Sequence, residues 1–397
     1  MIELKLYNIV ELEQLINLER FYNFKNIPIS LHRAKSHFHN PRADKNDIIM
    51  IIAFKNNEIV GYMGILPDFL FIESLTKHRD SSLRGTKQSI QTLTDSFTNN
   101  SNIIEKLKFG WFSCFWVDET MRGEGLGTQL VEKALSEWSG NILITEFAPL
   151  SKKLYLKTNS FNNSTFLNGI RLYNRFDLQH ILPPKKRIFH KIKSLLSITD
   201  NVLNFVFDIR FLFINKNSSS LKLERISKFD SEIENFINSN NNTQLFKRET
   251  VDFNWIIKYP WIIQSDKIDS LNKRYYFSAV AKSFENFCCK LRNKNNEVVA
   301  FLFFTKRENT LKLPYCIYKS KYLHEIILVI LQQIIELKIS TFTTYNNEIS
   351  DQLLKQKTNS LFKKKMIREY LISNNLKEYF DSNNFVIQDG DGDCVFT

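Results

Sequence analysis

The chain has 397 residues, 43% of them hydrophobic, with 34 phenylalanines and only 11 glycines. That much apolar material excludes global disorder, and so few glycines exclude collagen-like, linker and low-complexity readings. Lys and Arg outnumber Asp and Glu by 54 to 42, a net charge of +12, which suits an anionic ligand; the scattered basic residues give no reason to expect nucleic acid. The length suggests two or three domains.

In chain order, Ile2 to Tyr7 alternates apolar and polar residues and reads as a strand. Val10 to Asn23 has helical spacing. Asp47 to Phe54 and Ile59 to Leu66 are apolar runs joined by Lys55-Asn56-Asn57-Glu58, a hairpin pattern. Residues 67 to 105 are polar and read as a long excursion. Trp111 to Val117 is an aromatic strand that leads into a glycine cluster. Gln129 to Trp138 follows as an amphipathic helix, Ile142 to Phe147 as a strand and Ser151 to Lys157 as a short helix. Phe166 to Leu178 is expected to form a final hairpin.

Pro183-Pro184 marks a boundary, and the stretch to Ile214 reads as a connecting helical segment. No run of 18 apolar residues occurs. The nearest, Ser194 to Phe213, is broken by Asp200, Asp208 and Arg210. It reads as packing between domains, with an interfacial amphipathic helix as the alternative. Beyond Leu221 the pattern hairpin, strand, helix, strand, helix returns: Phe287 to Arg292, Glu297 to Phe304, Thr310 to Tyr318, Leu323 to Leu337, Ile339 to Tyr345 and Ile349 to Lys355. The expected domains are 1–182, a helical linker 183–220, and 221–397, both domains α/β with a mixed central sheet flanked by helices.

Five cysteines without CxxC spacing read as reduced thiols, and seven histidines without metal-site spacing predict no metal. The early acid in Met-Ile-Glu-Leu-Lys-Leu does not suit a signal peptide, so the expected location is cytoplasmic. Cys114 reads as a core residue. Asp389-Gly390-Asp391-Gly392-Asp393 reads as a turn before a terminal strand, Cys394 to Thr397.

The chemistry-bearing segment runs from Val117 through Asp118, Glu119, Arg122, Gly123, Glu124, Gly125, Leu126, Gly127 and Thr128. A strand leads through three glycines into a helix. Loop amides and the helix N-terminus then converge on one anion, and Arg122 adds a charge. The P-loop lysine is missing, and the glycine spacing is not that of the dinucleotide fingerprint.

The pattern Arg122-x-x-Gly125-x-Gly127, with its flanking strand and helix and Leu154-Tyr155-x5-Phe161, resembles the pyrophosphate loop of the GNAT acyltransferases; the resemblance runs from about Asp47 to Leu178. It implies acetyl-CoA as co-substrate, no metal, and direct attack of an amine on the thioester. Loop residues 122–128 would hold the pyrophosphate, and the main chain of Trp116 and Val117 would pair with pantetheine. Tyr155 falls where the family often has its acid. Glu146, at the end of the next strand, is the candidate base, and His32, His37 and His39 are candidate acceptor-site residues. Asp118 and Glu119 are expected to be solvated. Ser160-Phe161 and Ala148 depart from the family's usual glycine-phenylalanine pair and asparagine.

Gly110 to Asp118 and Asn168 to Lys185 look similar to bacterial tandem GNAT proteins of surface-polysaccharide synthesis. That implies a nucleotide-linked amino sugar as acceptor. A peptide, protein or polyamine amine is the rival acceptor, and a non-catalytic binding protein the rival class. The segment Lys319-Ser320-Lys321-Tyr322 has no glycine, so the second domain is expected to be degenerate, without coenzyme. The chain is expected to be a monomer or a dimer.

Overall fold

The computed structural model describes residues 1–74, 103–213, 219–380 and 385–397. In chain order the elements are β1 (Ile2–Tyr7), α1 (Ile9–Asn17), α2 (Leu31–Phe38), β2 (Met50–Lys55), β3 (Glu58–Ser74), β4 (Ile103–Val117), α3 (Leu126–Glu137), β5 (Ile142–Thr145) and α4 (Pro149–Lys157). Then come β6 (Asn163–Tyr173), α5 (Leu178–Ile181), α6 (Ile188–Lys191), α7 (Lys193–Phe213), β7 (Lys222–Ile226), α8 (Ser231–Asn240), α9 (Thr250–Lys258), β8 (Ile262–Gln264) and β9 (Ala279–Ala281). The chain ends with β10 (Phe284–Arg292), β11 (Val298–Arg307), β12 (Thr310–Tyr318), α10 (Leu323–Glu336), β13 (Thr341–Thr344), α11 (Asn347–Lys355) and β14 (Phe362–Ile372). The fold is mixed α/β. The central part of the 67–105 excursion lies outside the described residues; its ends extend β3 and β4.

The chain forms two compact units that interleave along the sequence. One comprises Met1–Phe166, Asn241–Ala281 and Glu369–Thr397; the other comprises Leu167–Asn240 and Lys282–Arg368. Sequence spacing draws contiguous blocks because it does not show which sheet a strand joins. In the first unit β1, β2, β3 and β4 are antiparallel in turn, β5 joins β4 in parallel, and Tyr370–Ile372 of β14 pair antiparallel with β5. In the second unit β7, β10, β11 and β12 are antiparallel, β13 joins β12 in parallel, and β6 pairs antiparallel with β13. The strand order therefore repeats, and each sheet takes its last strand from the other half of the sequence.

Period-2 alternation sorts the first unit's core onto the two faces of its sheet. Ile51, Ala53 and Met63 pack with α3, whereas Met50, Ile52 and Tyr62 pack with α1 and α2. Local chemistry sets the helix starts. Asn8 and Glu11 form a capping box for α1, and Pro149 opens α4.

Two expectations are corrected. Phe166 to Leu178 is no hairpin: β6 is followed by α5, and Asn204 and Asp200 of α7 accept the backbone N–H groups of Phe176, Leu178 and Gln179. With those donors satisfied, no second strand is needed. The terminal residues Asp393–Phe396 form a buried 3-10 turn rather than a strand, with Phe396 stacked on Trp261 at 4.8 Å.

Candidate active site

β4 and β5 pair over only three residues, Gly110–Phe112 against Ile142–Ile144, and then part. On its other side β4 continues against β3 as far as Val117, with a register shift between Met63 and Ile65. The open edge of β4 thus includes the backbone of Trp116 and Val117. β4 then delivers the chain to the glycine loop.

At that loop Gly123 and Gly125 adopt left-handed φ of +90° and +81°, and a Cβ built on either meets nothing within 4 Å. L-residues avoid this region, which is why glycine is needed at both places. Gly125 is the N-cap of α3, and no side chain caps that helix. Helix geometry leaves the first N–H groups without intrahelical acceptors, so bare backbone donors face open space. Glu124 is exposed, and Leu126 is buried in the core. Gly127 sits 3.3 Å, from its would-be Cβ, to the Phe115 ring, which holds α3 close to β4; Thr128 is half-buried beside it. Arg122 is exposed and pairs with Glu119 at 3.3 Å. Asp118 caps the loop's first turn, accepting from the Thr120 N–H and hydroxyl at 2.9 and 2.7 Å, and these bonds lower its pKa. An anionic diphosphate fits these donors.

Tyr155, on α4, is 3% exposed in a ring cluster with Phe112, Phe115 and Phe161. Burial raises its phenol pKa, the Asp393 carboxylate adds to that, and a hydrogen bond with Ser151 works the other way. Tyr155 therefore stays protonated.

Glu146 follows β5 with a left-handed φ of 52° and is exposed. The three histidines separate. His37 is fully buried, stacked 6.1 Å from Trp261, and its pKa falls to about 3 through burial and then Arg33. His32 is half-buried, with its pKa lowered chiefly by burial. His39 is exposed and stacks on Tyr259 at 4.4 Å. Cys114 is 1% exposed within the core.

Sequence reasoning missed Arg33 and what surrounds it. The guanidinium lies 3.4 Å from the Trp261 ring centroid and donates to Ser113 Oγ at 2.6 Å, and Asp393 Oδ2 is 3.9 Å away. Tyr62 and Tyr275, both buried, complete this side, and burial keeps both phenols neutral. The terminal segment runs past the end of β5, because a Cβ on Gly392 would lie 2.7 Å from Thr145 Cγ2. Trp261, Tyr275 and Asp393 come from distant parts of the sequence, and no local pattern announces them. The Asp-Gly-Asp-Gly-Asp run was the one available signal.

A second buried network fixes this arrangement. Arg42 bonds Asp68 and Asp252 at 2.6 Å each, and Arg248 bonds Asp68 at 2.7 Å. Trp111 donates to Asp68 at 2.8 Å, and Arg248 reaches Asp391 at 3.4 Å. Asp391 is pushed up to about 7 by burial. Among the described residues, no cluster of metal-ligating side chains occurs.

The model of the Acetyltransferase (GNAT) family matches residues 12–146. Residues 12–146 carry a GNAT acetyltransferase domain. That family comprises acyl-CoA-dependent N-acyltransferases, and the domain belongs to this class of enzyme. The glycine loop, residues 122–128, lies within the matched range. No curated protein matches the chain.

Three solved structures show the range of its similarities. A conserved protein from Enterococcus faecalis, described as a probable N-acyltransferase, is 8% identical at a TM-score of 0.49, covering 94% of this chain and 73% of its own. A GCN5-related N-acetyltransferase from Anabaena variabilis is 10% identical at 0.45, covering 93% and 72%. Saccharomyces cerevisiae N-myristoyltransferase with bound myristoyl-CoA is 11% identical at 0.46, covering 94% and 80%.

Proposed function

We propose that the protein transfers an acetyl group from acetyl-CoA to the amino group of a nucleotide-linked amino sugar used in surface-polysaccharide synthesis. The observation that carries the acyltransferase part is the bare glycine loop at the point where β4 leaves β5. The amides of residues 123–128 and the α3 N-terminus bind the coenzyme pyrophosphate. The open edge at Trp116 and Val117 pairs with the pantetheine amides. Acetyl-CoA supplies the acyl group as a thioester.

The chain's own groups handle protons. The acceptor nitrogen forms its bond to the acyl carbon as the carbon–sulfur bond breaks. Asp393 takes the ammonium proton, and the Tyr155 phenol donates to the departing sulfur. We assign the base to Asp393 rather than Glu146, because Asp393 is held 3.9 Å from a buried cation and within electrostatic reach of Tyr155, while Glu146 is exposed.

Two features support an anionic acceptor: the net charge of +12 and the buried Arg33 beside the parting strands. A polyamine fits neither. In the second unit the turn after β12, Ser320–Tyr322, has no glycine, and we read that unit as a coenzyme-free companion domain. A panel of nucleotide amino sugars incubated with acetyl-CoA and read by mass spectrometry tests the acceptor. An acetylated sugar is expected. Turnover on a peptide amine instead, with no acetylated sugar, overturns the acceptor assignment.

A further inference from the structure

The α7 helix uses one face to hold the second unit together. Leu196 and Asp200 are buried there, Asn204 brackets the backbone of Phe176 at 2.8 Å on both sides, and Asp208 pairs with Arg175 at 2.5 Å. The opposite face is also apolar. Leu195, Ile198, Val202, Phe205 and Ile209 recur at spacings of three and four, so they share one stripe, and they are 59, 60, 58, 70 and 40% exposed. A contiguous exposed stripe of this kind marks an interaction surface.

Just upstream, Lys185, Lys186, Arg187, Lys191 and Lys193 are all exposed, and none of them joins an ion pair among the described residues. The two carboxylates between residues 178 and 209, Asp200 and Asp208, are already committed to internal partners.

We propose that α7 and the basic segment before it dock the protein onto an anionic lipid surface, the helix lying in the interface. The surface offers cations and apolar side chains together, with no uncommitted carboxylate. Its complement must be anionic and apolar at once, which an anionic bilayer is. The same face of a second copy would bring the same cations and no spare acid. No helix among the described residues is long and apolar enough to cross a membrane, so the contact is peripheral.

Flotation of the full chain with vesicles tests this. The wild type should float with phosphatidylcholine–phosphatidylglycerol vesicles and far less with phosphatidylcholine alone, and added salt should release it. The double variant Val202→Ser with Phe205→Ser should lose about tenfold or more of this binding while melting like the wild type, because both side chains are exposed. The triple variant Lys185→Gln, Lys186→Gln and Arg187→Gln should weaken binding to the anionic vesicles. No flotation of the wild type, or equal flotation of the double variant, overturns the proposal. So does a lipid-free dimer by sedimentation that the double variant dissociates, without vesicle binding, since a second copy would then cover the stripe.

Discussion

The Asp393 carboxylate lies 3.9 Å from the guanidinium of Arg33, a side chain 6% exposed, in a unit whose sheet opens between β4 and β5. The two residues are 360 positions apart in sequence. The cation lies beside the carboxylate and leaves it 16% exposed, so the proposed base borders the opening between the strands. Asp393→Asn keeps the shape and removes the proton acceptor. Turnover should fall by about a hundredfold or more, with acetyl-CoA affinity unchanged by calorimetry. Unaltered turnover would remove Asp393 from the chemistry.

The phenol of Tyr155 stays protonated because burial and then Asp393 oppose its ionisation. Tyr155→Phe retains the ring packing with Phe112 and Phe161 and deletes the proton. A loss in kcat of about a hundredfold with little change in melting temperature is expected. Full turnover would show that the ring is only core.

Two buried groups shift stability in opposite directions with pH. The His37 pKa is about 3 in the fold, below its ordinary 6.5. Its contribution is present above pH 6.5 and is lost as pH falls toward 3, because the unfolded chain binds the proton more readily. Asp391 is raised to about 7 from 3.8, so its contribution is complete below pH 3.8 and lost as pH rises through 7. Thermal melts should therefore show His37→Gln narrowing its deficit against the wild type on acidification from neutral pH. Asp391→Asn should narrow its deficit as pH rises from 5 to 8. Parallel curves would contradict both assignments.

Much of the first unit is legible in the sequence, because hydrophobic period and glycine placement are local. The β2–β3 hairpin, the aromatic β4, the loop at Gly123–Gly127 and the helix after it were all visible in this way. The wall formed by Arg33, Trp261, Tyr275 and Asp393 was not. Its members come from α2, from residues 241–281 and from the terminus, joined only by tertiary packing. The terminal Cys394–Thr397 looked like a strand because it is apolar, yet it is buried as a 3-10 turn against Trp255 and Trp261. Strand exchange was equally invisible, since β6 and β14 show ordinary alternation that does not name a partner.

Arg42 holds Asp68 and Asp252 together in a fully buried site. Arg42→Met leaves both carboxylates facing a lost cation. A destabilisation of about 3–5 kcal/mol is expected by denaturant melts. A change near zero would mean that the network does not organise this unit.

Titration calorimetry of acetyl-CoA against the wild type and Gly125→Trp tests whether the loop at the start of α3 holds the coenzyme. Gly125 has open space around it and a left-handed φ of +81°, so an indole there obstructs the approach of an anion to the α3 amides. The wild type should bind one acetyl-CoA per chain, and Gly125→Trp should retain its fold by circular dichroism and bind none. Equal affinity in the two proteins, or two molecules bound per wild-type chain, would contradict the assignment of the loop as the single coenzyme site.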